Sequence, residues 1–367
     1  MAGVMIVIAP DSFKESLTAA EAAAAMARGA QQAGYTDVVC IPMSDGGEGF
    51  LDCLLPNAER RGVRVHDPLG REREAQFVLD DDRGAFECAV AVGLAHLSAD
   101  ERDVLASSSR GVGELLLAAL DAGATEVTVG LGGSATNDGG AGLLAAVGVR
   151  LLDRQGNPVD PTPRGLAALA SVDASGLDPR LQHVTLTAAC DVTNPLCGPD
   201  GATATFGPQK GVEDAEIAAL DERLATLAHL LDADELAERP GTGAAGGLGF
   251  ALALLGAELR PGFDLVAEAT GLAQHLADAD LVLTGEGSFD AQSLQGKLVG
   301  RLIEAAGNAR VLVFAGRVTP AHGIDATCIT PDGDPDPHGH AAANLERAVD
   351  TRLQCVPVDG EGRGVTR

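Results

Sequence analysis

The sequence has few aromatic residues and few positive charges. It contains no Trp and one Tyr, and aromatic residues make up 3% of the chain. Proteins that bind single-stranded nucleic acids stack the bases on aromatic side chains in basic grooves. The formal net charge of −27 at pH 7 also repels polyanions and anionic membrane surfaces. The composition therefore predicts an aliphatic core and argues against nucleic acid or membrane partners.

Long apolar runs and cysteine motifs are absent as well. No apolar run in the sequence is long enough to span a bilayer, and the start, MAGVMIVIAP, lacks the basic region of a signal peptide. The seven cysteines are scattered, with no C-x-x-C, which fits reduced thiols better than disulfides or a zinc site. With 367 residues the chain is long enough for two domains, and we expect a cytoplasmic protein.

Lysine is the scarcest basic residue. The chain has 26 Lys plus Arg, and only Lys14, Lys210 and Lys297 are lysines. All of them lie in polar or glycine-rich stretches. An ammonium is a compact point charge that suits a phosphate group in transfer, whereas the guanidinium of Arg is broad and planar. The pattern indicates phosphate contacts for these lysines; the alternative is that they are chance residues of an Arg-rich chain.

The most distinctive segment is the glycine-rich stretch GLGGSATNDGGAG, residues 130–142. The apolar run EVTVGL before it predicts a buried strand, and the glycines predict a tight turn into a helix. Such a turn exposes backbone N–H groups that attract phosphate, and hydroxyl, amide and carboxylate side chains stand at the same point. The candidate ligand-binding residues of this segment are Gly132, Gly133, Gly139, Gly140, Ser134, Asn137 and Asp138.

Three interpretations of this segment are open from the residues alone. Gly130-x-Gly132-x-x-Ala135 matches the weak dinucleotide fingerprint, and Asp153 stands about where a ribose-binding acid would follow, which suggests an NAD(P)-dependent oxidoreductase. A phosphoryl-transfer loop, with Asp138 near metal or substrate, is the second interpretation. In the third, the glycines only permit close packing at a strand-to-helix crossing.

Other polar residues follow predicted strands at the ends where open α/β sheets bind ligands. On position alone these residues have structural alternatives: an exposed loop lysine for Lys14, a solvated turn for Asp45, and an Asx-turn for Asp191. The glycine-rich segment GTGAAGGLG, residues 241–249, fits close helix packing. The candidates are Ser12 and Lys14, Asp45 and Glu48 in SDGGEG, Asp191 and Asn194 after HVTLTAAC, Lys210 in GPQKG, and Glu286, Asp290 and Lys297 in TGEGSFDAQSLQGK.

The patterning divides the chain into two kinds of segment. Both ends repeat a strand, a glycine loop and a helix, whereas residues 60–90 alternate with turn signals and predict antiparallel hairpins. The sequence therefore predicts an α/β protein with a Rossmann-like, doubly wound domain built from residues 1–65 and 278–367. Residues 66–277 would form a second α/β domain inserted in the middle. We expect the two end segments to share one parallel sheet.

Seven motifs, in order along nearly the whole chain, resemble those of the type I glycerate kinases. They are PDSFKESL, SDGGEG, GGSATNDGG, CDVTNPLCGPDGA, FGPQKG, GAAGGLG and TGEG-x-x-D-x-Q-x-x-x-GK. The resemblance implies transfer of the γ-phosphoryl group of ATP to D-glycerate, typically giving 2-phosphoglycerate, with Mg²⁺. It also implies an active site in the cleft between a Rossmann-like and an inserted domain. The chain departs from the family pattern at Arg110, Ser288 and Leu298.

Because of this resemblance, we interpret the candidate residues as functional rather than structural. We expect in-line attack of a glycerate hydroxyl on the γ-phosphate. Such a transfer depends mainly on positioning and charge neutralisation, here by Mg²⁺ and the lysines, with Lys297 among the catalytic residues. Asp191 is the first candidate for the general base and Asp138 the second, and the other of the two would hold Mg²⁺. The rival hypotheses are the oxidoreductase and a non-catalytic binder of small acids. The sequence leaves open which hydroxyl is phosphorylated and whether a homo-oligomer forms.

Overall fold

The structure, a computed structural model, describes residues 3–47, 49–294, 297–319 and 323–355. In chain order the strands are β1 (Ile6–Ile8), β2 (Val38–Cys40), β3 (Glu59–His66), β4 (Glu72–Asp80), β5 (Arg83–Glu87), β6 (Glu126–Gly130), β7 (Arg150–Leu152), β8 (Ser171–Asp173), β9 (Thr185–Ala189), β10 (Glu258–Arg260), β11 (Leu281–Phe289), β12 (Arg310–Val318) and β13 (Ala326–Cys328). The α-helices are α1 (Ala19–Gln32), α2 (Phe50–Leu54), α3 (Ala89–Val92), α4 (Arg110–Asp121), α5 (Ala141–Ala146), α6 (Ala202–Phe206), α7 (Ile217–Leu230), α8 (Asp234–Ala237), α9 (Ala244–Leu254), α10 (Gly262–Ala269), α11 (Leu272–Ala277), α12 (Leu298–Ala305) and α13 (Ala341–Gln354).

The two ends of the chain fold together. Met1–Leu54 and Phe263–Arg367 form one compact unit, called the terminal unit below, and Leu55–Gly262 form the middle unit. The strands of the terminal unit make one parallel sheet in the order β13-β12-β11-β1-β2. The predicted α/β class and the predicted sharing of a parallel sheet by both ends are confirmed. The predicted domain boundaries near residues 65 and 278, and the cleft, stay predictions.

The sheet of the terminal unit has a topological switch point between β1 and β11. From β1 the chain moves to β2 on one side, and on the other side it runs from β11 through β12 to β13. A doubly wound sheet binds its ligands beyond the carboxyl ends of the strands at such a point. The three-residue strand β1 is fully buried, from Ile6 to Ile8, which explains its continuous apolar sequence.

The sheet of the middle unit is mixed, in the order β10-β9-β6-β5-β4-β3. The β3–β4 and β4–β5 pairs are antiparallel, as predicted from the alternating pattern, and the other pairs are parallel. Gly130, the last residue of β6, pairs with Glu87 of β5 and Ala189 of β9. The glycine-rich segment therefore leaves from the interior of the sheet, beside the segment that follows β9.

Two further observations concern the described residues as a whole. None of their helices is long and apolar enough to cross a membrane. Every cysteine is a free thiol: Cys40, Cys53, Cys88, Cys190, Cys197, Cys328 and Cys355.

The tight turn between β4 and β5 generates a stability prediction. Asp81 is left-handed, with φ at 54°, and it is the first of the two residues that join these strands. A two-residue hairpin with positive φ at this position favours Gly. We expect Asp81→Gly to raise the free energy of unfolding by about 1 kcal/mol, because an L-residue is strained there. The matched control is Asp82→Gly, which removes the hydrogen bond from Thr125 Oγ1 to the Asp82 carboxylate at 2.7 Å. Urea titration should show opposite signs for the two variants, and equal losses would contradict the strain.

Candidate active site

The glycine-rich segment between β6 and α5, residues 131–140, is called the central loop below, and its far end is held by Asp138. This carboxylate is fully buried. Its Oδ2 accepts hydrogen bonds from Ser109 N at 2.7 Å, Ser109 Oγ at 2.8 Å and Gly142 N at 3.0 Å, and its Oδ1 accepts from Gly140 N at 3.0 Å. Burial raises the pKa of Asp138, and these hydrogen bonds counteract that rise. The carboxylate thereby ties the start of α4 to the start of α5.

The backbone N–H groups around the start of α5 have partners within the chain. Gly139 N–H donates to the Gly246 carbonyl at 3.0 Å, and Gly140 and Gly142 donate to the buried carboxylate just described. Leu143 N–H donates to the hydroxyl of the same serine at 3.0 Å. These groups are occupied, contrary to the expectation that the turn exposes them to phosphate.

The glycines of the central loop fall into two pairs. Gly132 and Gly133 are exposed, whereas Gly139 and Gly140 are buried. A Cβ on Gly139 would lie 3.0 Å from Leu227 Cδ2, and one on Gly140 would overlap Ala251 of α9. Gly139 and Gly140 therefore fit the interpretation that the glycines permit close packing. Gly132 and Gly133 are accessible to solvent.

The middle of the central loop is held by Lys210. This side chain is buried, and its Nζ donates to Thr136 O at 2.7 Å and Ser134 Oγ at 3.2 Å. Burial lowers the pKa of Lys210 to about 8. Asn137, also buried, donates from Nδ2 to Thr203 Oγ1 of α6 at 2.9 Å. The structure thus brings the candidates Ser134, Asn137 and Lys210 together, a proximity that the sequence analysis did not predict.

The segment after β9 carries the other two candidates of the middle unit. Asp191 is exposed, and its Oδ1 accepts from Gly262 N at 3.1 Å. Asn194 donates from Nδ2 to the Asp200 carbonyl at 2.7 Å and to Thr205 Oγ1 at 3.2 Å. Asn194 therefore shapes its own loop, whereas Asp191 is an exposed residue that accepts a hydrogen bond from the start of α10.

Carboxylates gather at the switch point of the terminal unit. Asp11 follows β1, Asp45 follows β2, and Glu286 lies in β11. Burial, and next the charge of Asp45, raise the pKa of Asp11 to about 7, while the hydrogen bond from Ser12 N at 2.6 Å lowers it. Burial also raises the pKa of Glu286. Asp11 was missed as a candidate, although its place directly after the first strand, ahead of Ser12 and Lys14, was a signal.

The remaining candidates of the terminal unit differ in exposure. Lys14 and Lys297 are both exposed, Lys297 as the N-cap of α12. Their charges lower the pKa values of Asp11 and Glu286, respectively, so each ammonium acts on a carboxylate of the switch point. Asp290 accepts at Oδ1 from Gln292 N at 2.7 Å and Ser293 N at 3.3 Å, which makes it a turn residue. Glu48 lies outside the described residues.

The described residues of the two units contain no preformed metal-binding cluster. Within the described ranges no group of three or more His, Cys, Asp or Glu side chains is suited to hold one. Mg²⁺ in phosphoryl transfer is usually held by one or two carboxylates together with phosphate oxygens and waters. Asp138 fits that role poorly, because both of its oxygens accept hydrogen bonds. Asp45 and Asp191 are more open carboxylates at strand ends.

An α/β protein with charged residues at the carboxyl ends of its strands has the architecture of an enzyme that binds small ligands. The chain belongs to the glycerate kinase family: residues 6–350 match the profile described as "Glycerate kinase family". It is 44% identical to the glycerate 2-kinase of Escherichia coli K12 over 339 residues, covering 88% of this chain and 89% of that protein. The predicted family is confirmed.

Two further relatives cover almost the full chain. The glycerate kinase of Bacillus subtilis 168 is 44% identical over 364 residues, which are 94% of this chain and 95% of that protein. A crystal structure from Salmonella typhimurium LT2, assigned as a glycerate kinase 2, superposes with a TM-score of 0.86 at 41% identity. It covers 96% of this chain and 98% of that chain. The likeness therefore extends over both units.

The contrast between Asp138 and Asp191 generates a prediction. In Asp138→Asn an NH₂ group replaces one of the two acceptor oxygens, so that a buried donor then faces a donor. We expect the free energy of unfolding to fall by about 2 kcal/mol or more. The matched control is Asp191→Asn, which is exposed and should unfold like the wild type. Urea titration checks both variants, and an Asp138→Asn protein as stable as wild type would contradict the anchoring role.

Proposed function

We propose that this glycerate kinase transfers the γ-phosphoryl group of ATP to the 2-hydroxyl of D-glycerate, with Mg²⁺. The observation that carries the proposal is the family match over residues 6–350. The relative that is named a glycerate 2-kinase, at 44% identity, supports the 2-hydroxyl as the acceptor. The cytoplasm, where ATP is available and thiols stay reduced, is the proposed location. The free cysteines agree with it.

Asp191 is the proposed general base. As the glycerate oxygen bonds to the γ-phosphorus and the bond to the ADP oxygen breaks, the hydroxyl proton passes to the Asp191 carboxylate. The support is that this carboxylate is exposed at the end of β9, whereas the alternative, Asp138, is buried and accepts four hydrogen bonds. Asp138 is proposed to act through the shape of the central loop.

The phosphate charge is proposed to be neutralised from the terminal unit. Lys14 and Lys297 are exposed ammonium groups near the switch point, and Ser12 adds a hydroxyl. Asp45 is the proposed protein ligand of Mg²⁺, because it is partly exposed and follows a parallel strand. When bound, the metal would supply positive charge to the phosphate oxygens. Gly132 and Gly133 are proposed to approach the substrate or nucleotide closely.

The NAD(P) alternative loses its structural basis. Asp153 accepts from Gln155 N and Asn157 N, both at 2.8 Å, and is therefore a partly exposed turn residue. It follows β7, which pairs with β8 in a separate two-stranded antiparallel sheet. In a dinucleotide-binding unit the acid ends the strand parallel to the first.

The test of the proposed function is an ADP-release assay with ATP, Mg²⁺ and D-glycerate. Coupling through enolase alone, without a phosphoglycerate mutase, reports 2-phosphoglycerate specifically. ADP release with an enolase signal supports the full proposal. ADP release with an enolase signal that appears only after the mutase is added would identify the 3-hydroxyl as the acceptor. Tight D-glycerate binding without turnover would favour the non-catalytic binder.

The role of Asp191 is tested by Asp191→Asn. We expect kcat to fall by about 10²–10⁴-fold, because Asn keeps the shape but cannot take a proton. The melting temperature should stay near that of the wild type. The matched control is Asp153→Asn, which alters only the turn that Asp153 forms with Gln155 and Asn157 and should leave kcat unchanged. Recovery of Asp191→Asn at high Mg²⁺ would instead make Asp191 a metal ligand, and an unchanged kcat would remove it from the mechanism.

A further inference from the structure

Lys210 is the most unusual charged residue of the middle unit. Its side chain has 3% relative exposure, and buried lysines are rare because desolvating an ammonium is costly. Its hydrogen bonds run to a backbone carbonyl and a hydroxyl, and neither acceptor is a carboxylate. A lysine that binds phosphate at the protein surface would be exposed to solvent, as Lys14 and Lys297 are.

The segment that carries Lys210 holds the central loop at several points. Lys210 closes the short 3₁₀ turn Pro208–Lys210 and donates to Ser134 Oγ and Thr136 O. Just before it, Thr203 of α6 accepts the hydrogen bond from Asn137. The motif FGPQKG therefore packs behind the loop GGSATN and fixes it from the protein interior.

We propose that Lys210 is a positioning residue that orients the Ser134 hydroxyl toward the substrate, and that it does not bind phosphate itself. Because the ammonium donates to Ser134 Oγ, the hydroxyl proton is directed to another acceptor. A hydroxyl that accepts a charge-assisted hydrogen bond is also a stronger donor. Its acceptor would be an oxygen of glycerate or of the transferring phosphate. The inference therefore rests on the proposed function.

The charge state of Lys210 connects this geometry to pH. Burial holds its pKa down at about 8, while the titratable groups facing it, Cys88 at the start of α3 and Asp138 in the central loop, counteract the decrease. Burial raises the pKa of the Cys88 thiol to about 12, so that it stays neutral near pH 8. As pH rises through about 8, Lys210 becomes neutral, and its lone pair can accept the Ser134 proton. The hydroxyl then turns away from the substrate, and kcat/KM falls.

Stability responds to the same titration in the opposite direction. Between about pH 8 and the ordinary lysine value of 10.5, the unfolded chain holds a proton that the native protein has lost. The contribution of Lys210 to the free energy of unfolding therefore rises with pH over this window. A loss of activity in that window is thus not explained by unfolding at this residue.

The experiment compares Lys210→Met, Ser134→Ala and the double variant with wild type. We expect each single variant to lose about 10²-fold in kcat/KM, comparable to the loss of one oriented donor. The kcat/KM of the double variant should be no lower than that of the less active single variant. The reason is that both substitutions remove the same hydrogen bond to substrate. The matched control is Lys14→Met combined with Ser134→Ala, in which the losses should multiply. Multiplying losses for Lys210 and Ser134 would overturn the proposal.

Two further measurements separate this proposal from the proposed function. The alkaline loss of kcat/KM near pH 8 should be absent in Lys210→Met, and its persistence would contradict the positioning role. Urea titrations from pH 7 to 10.5 should show wild type gaining stability relative to Lys210→Met, independently of any activity. If Lys210→Met fails to fold, Lys210→Gln with Ser134→Ala gives the same test. Wild type without turnover would refute the function, whereas turnover with multiplying losses would refute only the role of Lys210.

Discussion

The fold of the middle unit requires that the glycine-rich central loop be held in place. This loop has no hydrogen-bond ladder of a helix or strand within itself. Buried backbone groups need hydrogen-bond partners, so the central loop has to find them outside itself. Two buried charges meet this need, Asp138 at the far end of the loop and Lys210 at its middle. Each is costly to bury, and each is compensated by the hydrogen bonds that it makes. Gly246 and Gly247 of α9 then pack against the loop backbone, where a side chain would not fit.

The terminal unit uses its charges differently. Its carboxylates lie at the switch point of a parallel sheet, and Lys14 and Lys297 are exposed beside them. The lysines that the sequence uses so sparingly therefore divide by burial. Lys210 has its hydrogen-bond partners inside the protein, whereas the other two are exposed. Buried charge fixes backbone geometry in the middle unit, and the lysines of the terminal unit stay exposed.

Much of this organisation could be predicted from the sequence, because it depends on local patterns. The strand–glycine loop–helix repeat predicted the parallel sheet of both chain ends, and the alternation of residues 60–90 predicted the antiparallel pairs. The burial of Asp138 and Lys210 could not be predicted, since their partners Ser109 and Thr136 lie far away in the sequence. The amides of Gly139 and Leu143 at the start of α5 likewise have distant partners, Gly246 and Ser109, which proximity in sequence could not show.

The most direct measurement of the central claim is phosphorus NMR of a mixture of the protein, ATP, Mg²⁺ and D-glycerate. The account predicts that the β-phosphate signal of ATP is replaced by those of ADP. It also predicts one new phosphomonoester signal that matches authentic 2-phosphoglycerate. Asp191→Asn should slow both changes equally. Unchanged ATP in the wild-type mixture, or a new signal without D-glycerate, would contradict the account.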